Sequence, residues 1–443
     1  MFFTILICKL ARFVGSLIGR GSSLPGTIAL KLDKNILSKL TLPERTIAVT
    51  GSNGKTSVTE LIRTTAEAAG LNVVCNSFGS NQIEGVTTAL LSACDLRGRV
   101  KADAVVLESD ERFCQYTFAQ FAPKYMVVTN LYRDQLTRNG HSGFVLKELG
   151  KGVPESTTLI ANADDPVSAT LANGRADTLW FGVDAPELVE RSDRRHAYDD
   201  GAYCPLCKQP MEYSERIYSH LGSYHCPSCG YSRQKPRHSV TDFSDGAFVV
   251  DGEYRIHPQL ANRMFAYNIA AAFTACVDGL GLDPKTVATA LDGHCLMNGR
   301  VESFDINGHK GLFMLSKHEN SMAYNGALDT IMDSAADEIS VVIIVDLLSR
   351  KYVANDMSWL WDIDFELLAN DRVKKVFVGG LFANDVATRL LFAGVPLERL
   401  VVSGDIDEMM AALYADPVGD IFALTCFTDE QKFRRRLKNG TEA

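Results

Sequence analysis

The sequence predicts an α/β fold with two successive open-sheet domains, the first carrying a small cysteine ribbon as an insertion. Three observations predict it. A β-type run, a glycine-rich turn and an apolar-faced helix follow one another over residues 46–70. Four cysteines recur as C-x2-C-x18-C-x2-C from Cys204 to Cys229. Strand–turn–helix units then restart after residue 300. The expected organisation is an N-terminal segment, 1–45, packing on a central domain, 46–298, with the insertion at about 200–238, then a smaller α/β domain, 299–443.

The chain has 443 residues, enough for two or three domains. Hydrophobic residues make up 46% and charged residues 22%, which suits a globular protein with a real core. The net charge of −9 argues against a general nucleic-acid binder, which needs a large basic surface. Of eleven cysteines, four sit in the two C-x-x-C pairs. The other seven (Cys8, Cys75, Cys94, Cys114, Cys276, Cys295, Cys426) are scattered among apolar residues. That usage fits metal thiolates and buried thiols in a reducing compartment, so a cytoplasmic protein is expected.

The first element is "MFFTILICKLARFVGSLIGRG". Phe2, Phe3, Leu6, Leu10, Phe13 and Leu17 recur at roughly helical spacing, with Lys9, Arg12 and Arg20 between them. The charges come too early for a spanning helix, and the flanks are wrong for a signal peptide. Two readings stand: a helix packed on its own domain, or one resting on an anionic membrane surface at the inner face of the plasma membrane.

The next element is "TIAVTGSNGKTSVTELIRTTAEAAG". The strand Thr46–Thr50 enters the turn Gly51, Ser52, Asn53, Gly54; Lys55, Thr56 and Ser57 open a helix. This is the context of a phosphate loop. Backbone N–H groups of the turn point at anionic oxygens, Lys55 bridges terminal phosphates, and the Thr56 hydroxyl suits Mg²⁺. The longer G-x-x-x-x-G-K-[ST] pattern is not met, because Val49 stands where its first glycine would be. A second strand, "ADAVVLESDE", ends in acids. Glu108 is the expected Mg²⁺ ligand; Asp110 and Glu111 read equally well as solvated surface carboxylates. ATP with Mg²⁺ is the implied cofactor set, on a doubly wound α/β domain.

The four cysteines Cys204, Cys207, Cys226 and Cys229 match a tetrahedral Zn²⁺ site. Four thiolates saturate the metal, so the site should be structural and not catalytic. His220 and His225 read as surface histidines. Lys208, Arg216, Arg233, Lys235 and Arg237 make the insertion mildly basic, with Glu212 and Glu215 in opposition. Nucleic acid is not an expected partner. The insertion is too small to bury a core of its own, so zinc takes that place and the module shapes a surface of the central domain.

Past residue 300, "SVVIIVDLL", "KKVFVGGLFANDVATRLLFAGV", "RLVVSGDIDEMMAAL" and "DIFALTCF" spell out a second open α/β domain.

The motifs together resemble the Mur ligase family. "TGSNGKTS" resembles its ATP loop; "NADDP" (Asn162–Pro166), "YNIAAA" (Tyr267–Ala272) and "GRVESF" (Gly299–Phe304) are similar to further family motifs. The chain thus looks like a Mur-ligase-like P-loop ATPase domain with a four-cysteine zinc ribbon inserted, followed by a smaller Mur-ligase-like α/β domain. The insertion after "NADDP", with "TNLYRDQLTRNG" before it, is similar to the MurT branch, the ligase subunits of lipid II isoglutaminyl synthase. The resemblance implies that Lys55 and Thr56 bind triphosphate and Mg²⁺ and that Glu108 binds Mg²⁺. It implies that Asn268 sits by the adenine and that Arg300 reaches the nucleotide. The bland alternatives are a helix cap for Asn268 and a surface ion pair for Arg300.

In the last domain the resemblance implies that Lys317 steadies an acyl phosphate or a substrate carboxylate. Of Asp346, Asp356, Asp362 and Asp364, it singles out Asp356 in "NDMSWLWD", which would orient the histidine of a partner glutaminase; the alternative is a helix cap. Three departures cluster here. Lys317-His318-Glu319 stands for the usual Lys-Asn-Pro, Val353-Ala354 replaces an Asp-Gly pair, and "LTCFTDEQ" lacks the expected Thr-Tyr-Thr.

The implied reaction is amidation of the α-carboxylate of D-glutamate in the lipid II stem peptide, through an acyl phosphate. No nucleophile elbow and no Cys–His set is evident, so ammonia must come from a GatD-like glutamine amidotransferase partner in a heterodimer. The rivals are a stand-alone Mur-type or folate-type amino-acid ligase and an ATP-binding scaffold without amidation activity.

Overall fold

A computed structural model of the chain describes residues 1–17, 21–76, 80–134, 139–190, 196–258, 262–293, 301–348 and 356–440. Two compact units form. One comprises Met1–Tyr132, His141–Arg194 and Asp199–Leu296; the other comprises Arg133–Gly140, Arg195–Tyr198 and Met297–Ala443.

In the first unit, α1 (Phe2–Leu17) and α2 (Leu24–Leu32) precede β1 (Arg45–Thr50). There follow α3 (Lys55–Ala68), β2 (Val73–Cys75), α4 (Ile83–Ala93), β3 (Ala104–Glu108), α5 (Cys114–Phe118), β4 (Tyr125–Val128), α6 (Ser142–Lys151), β5 (Thr158–Asn162) and β6 (Thr178–Val183). The inserted hairpin is β7 (Glu212–Tyr218) with β8 (Leu221–His225). The chain returns through β9 (His238–Ser244), β10 (Ala247–Val250), β11 (Tyr254–Ile256), α7 (Arg263–Thr274) and α8 (Pro284–Leu291).

Nine strands join in the order β11-β10-β9-β6-β5-β4-β1-β3-β2. From β2 to β9 in that order the pairs are parallel, and the β9-β10-β11 edge is antiparallel. All five residues of β3 are buried, as expected of a parallel strand covered on both faces. On α3, Val58, Leu61, Ile62 and Ala66 bury at helical spacing. Ile5 and Cys8 of α1 pack with Ala29 of α2 and Val86, Leu90 and Leu91 of α4. The chain runs from β1 outward to β2, back to β3, then crosses to β4 on the other side of β1. That reversal is a switch point, where loops after neighbouring strands diverge and leave a crevice.

In the second unit, β12 (Val301–Ile306) and β13 (His309–Ser316) lead to α9 (Ser321–Met332) and β14 (Ile339–Ile344). The rest is β15 (Val373–Gly379), α10 (Ala383–Phe392), β16 (Leu400–Ser403), α11 (Ile406–Ala415), β17 (Asp420–Cys426) and α12 (Glu430–Gly440). The sheet order is β12-β13-β17-β14-β15-β16, parallel except for β12–β13. Alternation along β14 feeds two cores. Ile339, Val341 and Ile343 join Tyr324, Leu328 and Ile331 on one face. Val342 and Ile344 join Phe313, Phe377 and Phe433 on the other.

Candidate functional site

The switch point carries the glycine turn. Register pairs Val49 with Glu108 and Thr50 with Val128, so the segments after β1, β3 and β4 leave the sheet side by side. Gly51 has φ +128°, and a Cβ there would lie 2.1 Å from Thr129 Oγ1 and 2.9 Å from Asn130 O. Gly54 has φ +84°, and a Cβ there would lie 2.4 Å from Asn268 Oδ1. Both positions therefore exclude side chains on backbone and contact grounds. The turn is pinned from β4. Ser52 N donates to Asn130 O (2.8 Å), Asn53 N donates to Asn130 Oδ1 (3.0 Å), and Thr129 Oγ1 donates to Asn53 O (2.7 Å). Tyr132 N donates to Ser52 Oγ at 3.0 Å.

Lys55 opens α3, with Thr56 and Ser57 behind it in the first turn. Its Nζ lies 2.8 Å from Glu111 Oε1 and also donates to the carbonyls of Gly51 and Ser52. Both partners of the ion pair are buried. Burial pushes the Glu111 carboxyl above its ordinary range, with the Lys55 ammonium the main opposing influence. Asp110 is buried as well. The solvated reading of these two acids is therefore corrected: the chain turns inward after β3 and buries both side chains. Glu108 is 9% exposed, and its Oε1 accepts from Asn81 Nδ2 at 3.1 Å. Asn76 clamps the Glu108 backbone at N–H (2.8 Å) and C=O (2.9 Å). Asn268 lies inside α7, whose cap is Asn262, accepting from Phe265 N; the helix-cap alternative for Asn268 is set aside. Arg300 lies outside the described residues, as do Arg20, Cys295, Val353 and Ala354.

The "NADDP" acids tie the insertion down. Asp164 and Asp165 are both fully buried. Asp164 accepts from Arg233 Nε (2.6 Å), Tyr267 OH (2.8 Å) and Val183 N (3.0 Å). Asp165 accepts from Leu131 N (2.8 Å) and Val167 N (2.9 Å), and its Oδ1 lies 3.3 Å from His220 Nε2. His220 is thus no surface histidine. It is fully buried, its ring 4.1 Å from that of Tyr132. Burial disfavours its imidazolium, but Asp165 outweighs that and raises its pKa. His225 is exposed, 3.8 Å from Glu212. Arg216 and Arg237 pair with Asp199 (2.8 Å) and Asp278 (2.9 Å), so much of the module's positive charge is answered within its own unit.

The cysteine pairs form two matching knuckles. Lys208 N donates to Cys204 O and Gly230 N to Cys226 O, each at 2.9 Å. Lys208 (φ +64°) and Gly230 (φ +76°) take the same left-handed conformation after each pair. The sulfurs of Cys204 and Cys229 are 3.6 Å apart, those of Cys207 and Cys226 are 3.5 Å apart, and all four lie within 4.8 Å of one another. Four thiolates about 2.3 Å from a central ion have S···S edges near 3.8 Å, so the donor set fits a tetrahedral soft cation.

In the second unit, Lys317 Nζ lies 3.9 Å from Asp134 Oδ2, and Asn320 Nδ2 donates to Asp134 Oδ1 at 2.8 Å. Arg133 Nη1 bonds both carboxylate oxygens of Asp362 (2.9 and 3.0 Å) and stacks over Tyr198 at 4.0 Å. Sequence reasoning misses these two residues of "TNLYRDQLTRNG", since their partners lie far along the chain. Asp364 lies 2.8 Å from His196 Nδ1. Asp346 accepts from Leu381 N (2.8 Å) and pairs with Lys432. Asp356 differs: it is exposed and accepts from Ser358 N at 2.9 Å, which holds its carboxyl below the ordinary range. Ser358 opens the short 3₁₀ helix Ser358–Asp362.

His318, Cys426 and Asp429 gather in one buried cluster, each less than 5% exposed. Burial raises the Cys426 thiol, but His318 and Thr428 outweigh that and hold it below its usual value. A Cys–His set therefore exists, although its burial shuts it off from a substrate.

The Mur ligase middle domain model matches residues 49–276, and the MurT ligase C-terminal model matches residues 317–429. The lipid II isoglutaminyl synthase (glutamine-hydrolyzing) subunit MurT of Streptococcus pneumoniae is 30% identical over 452 residues, covering 98% of this chain and 96% of that protein. The subunit of the same name from Staphylococcus aureus is 28% identical, covering 92% and 91%. Among solved structures, a pseudomurein peptide ligase type C from Methanothermus fervidus superimposes with a TM-score of 0.69 at 19% identity, covering 92% of this chain and 80% of that one. With the glycine turn at the switch point and matches along nearly its whole length, the chain belongs to the Mur ligase family of ATP-dependent ligases, in its MurT branch.

Proposed function

We propose that the chain amidates the α-carboxylate of D-glutamate in the lipid II stem peptide, using ATP and ammonia released by a GatD-like glutaminase bound to it as a heterodimer. The observation that carries the reading is the Gly51–Thr56 turn, with its two positive-φ glycines and Lys55 at the start of α3. Such a turn aims backbone N–H groups and a helix N-terminus at a triphosphate. Lys55 would exchange its contact with Glu111 for the terminal phosphates. Thr56 and Glu108 would hold Mg²⁺, which supplies charge neutralisation when bound. Asn268, 2.4 Å from the Cβ position of Gly54, would fix the turn on its nucleotide side. Arg300 is assigned to the nucleotide on the family pattern alone.

The substrate carboxylate would attack the γ-phosphorus, ADP would leave, and an acyl phosphate would result. Ammonia would then add to the acyl carbon and expel phosphate. Positioning and charge neutralisation supply most of the rate in such transfers. Lys317, steadied by Asp134, is assigned to the substrate carboxylate or the acyl phosphate. Asp356 is assigned to the partner's histidine. Cys204, Cys207, Cys226 and Cys229 would hold Zn²⁺ as a structural cross-link. The work would take place in the cytoplasm, at the inner face of the plasma membrane where a lipid-linked substrate lies. The test is a mass measurement on lipid II after incubation with the chain, its amidotransferase partner, glutamine and Mg-ATP. The expected change is that of –OH to –NH2. Turnover with an amino acid and no partner would replace this reading with a stand-alone ligase.

A further inference from the structure

We propose that α1 docks the chain on an anionic lipid bilayer, lying flat in the headgroup region. The inference does not rest on the amidation reading, because its evidence is confined to one helix. Thr4, Ile5, Cys8 and Gly15 are buried and fix which face of α1 meets the rest of its unit. The opposite face is apolar and bare. Eight large apolar side chains of α1 are exposed, among them Phe3 (74%), Phe13 (68%) and Leu17 (74%). At about 100° per residue the eight fill one continuous arc of about 140°. A folded chain seldom leaves so broad an apolar stripe open to water.

Charge selects the occupant. The whole chain carries −9, yet α1 contains Lys9 and Arg12 and no acidic residue. Lys9 is half-buried, donating to Ser92 O at 2.9 Å, and Arg12 is exposed. A second copy of the helix would fit poorly: a helix–helix seam is narrower and is flanked by complementary charges, and here no acid of the helix meets the facing Lys9 and Arg12. A broad apolar face with basic residues beside it is what an interfacial helix needs. The helix has 16 residues, and none among the described residues is long and apolar enough to cross a membrane.

The test is co-flotation of the full chain with vesicles of phosphatidylcholine, with and without phosphatidylglycerol. The chain should float with the anionic vesicles and much less with the neutral ones. F3E combined with F13E should cut binding roughly tenfold or more, since it replaces two lipid-facing aromatic rings with charge. R12Q should narrow the preference for the anionic vesicles. Both phenylalanines are exposed, so circular dichroism and melting temperature should stay unchanged. Absence of flotation, or flotation indifferent to F3E/F13E, overturns the proposal. So does a dimer in light scattering that F3E/F13E converts to monomer while vesicle binding is absent, which would assign the face to a second copy. Amidation in detergent-solubilised substrate should survive these changes, so the two readings fail separately.

Discussion

His318 Nε2 lies 3.3 Å from Asp429 Oδ2, with both side chains buried. Each belongs to a stretch that the family resemblance marks as unusual, Lys317-His318-Glu319 and "LTCFTDEQ". The two stretches are thus joined by one ion pair. Asp429 also accepts from the N–H groups of Asp346 (2.9 Å) and Leu347 (3.1 Å) and from Lys432 Nζ (2.8 Å). Burial disfavours the charge on His318, but Asp429 and Cys426 outweigh it and lift its pKa to about 9. Burial likewise works against the Asp429 carboxylate, and His318, Lys432 and the two amides bring it down to about 2.

The sign of the pH effect follows. His318 is raised above its unfolded value, so its contribution is full below about pH 6.5 and is lost as pH climbs through about 9. Asp429 is depressed, so the same pair is fully formed above about pH 4 and fails as pH falls through about 2. Urea unfolding of the second unit should therefore show a plateau between these limits, with an alkaline decline on the order of 3 kcal/mol. His318→Asn should cost about 2 kcal/mol at pH 6 and flatten that decline. An unchanged alkaline limb in the variant would remove the pair as its cause.

Lys55 and Glu111 form the corresponding buried pair of the first unit. Glu111→Gln removes the carboxylate charge facing the buried Lys55 ammonium, at a cost of about 3 kcal/mol in the absence of nucleotide. Phosphates would supply the missing negative charge, so Mg-ATP should raise the melting temperature more in this variant than in the parent. Equal shifts would detach Glu111 from the nucleotide site. Lys55→Ala should leave the fold intact and lower ATP-dependent turnover by at least about a hundredfold, as loss of a transition-state charge contact does.

The phosphate turn and the cysteine knuckles are legible in sequence because each is local. Gly51, Gly54 and Lys55 sit within one strand–turn–helix unit, and each C-x-x-C forms within a single turn. The β14 run, too, announces a strand covered on both faces. What stays hidden are partnerships across the chain. Arg233 meets Asp164 over 69 residues, His318 meets Asp429 over 111, and Asn320 meets Asp134 over 186. A lone histidine in a polar insertion reads as exposed, which is why His220 is misjudged; only the tertiary fold brings Asp165 and Tyr132 onto it. Asp110 and Glu111 stay undecided in sequence for the same reason, since exposure after a strand end depends on where the chain turns next.

The insertion rests on two kinds of anchor that can be separated. Cys226→Ser removes one of four sulfurs and should reduce tightly bound zinc well below one equivalent, with a stability loss on the order of 3 kcal/mol or more. Metal analysis and thermal melting check both. Nucleotide affinity should fall later than stability, because Cys226 belongs to the inserted knuckles and not to the glycine turn. Arg233→Ala attacks the other anchor: it leaves Asp164 buried with Tyr267 and Val183 as donors, should cost about 3 kcal/mol, and should retain the zinc. Loss of zinc in Arg233→Ala would show the two anchors to be one.

Asp356 is set apart from its three neighbours by what holds them. Asp346, Asp362 and Asp364 are each engaged by a cationic or histidine side chain of their own unit, Lys432, Arg133 and His196. Asp356 is exposed and is held by Ser358 N–H, a contact that keeps it ionised and turned outward. An ionised, outward carboxylate is what a glutaminase histidine needs from a third group. Asp356 stands just before Met357, the N-cap of the 3₁₀ helix Ser358–Asp362, and accepts from the first N–H of that helix, so a cap-like role and a partner role predict different outcomes. Asp356→Asn keeps an acceptor for Ser358 N–H and should cost less than about 1 kcal/mol in stability. In the complex it should lower glutamine-driven amidation by about a hundredfold or more while leaving ammonium-driven amidation nearly intact. Equal losses in the two assays would return Asp356 to the cap.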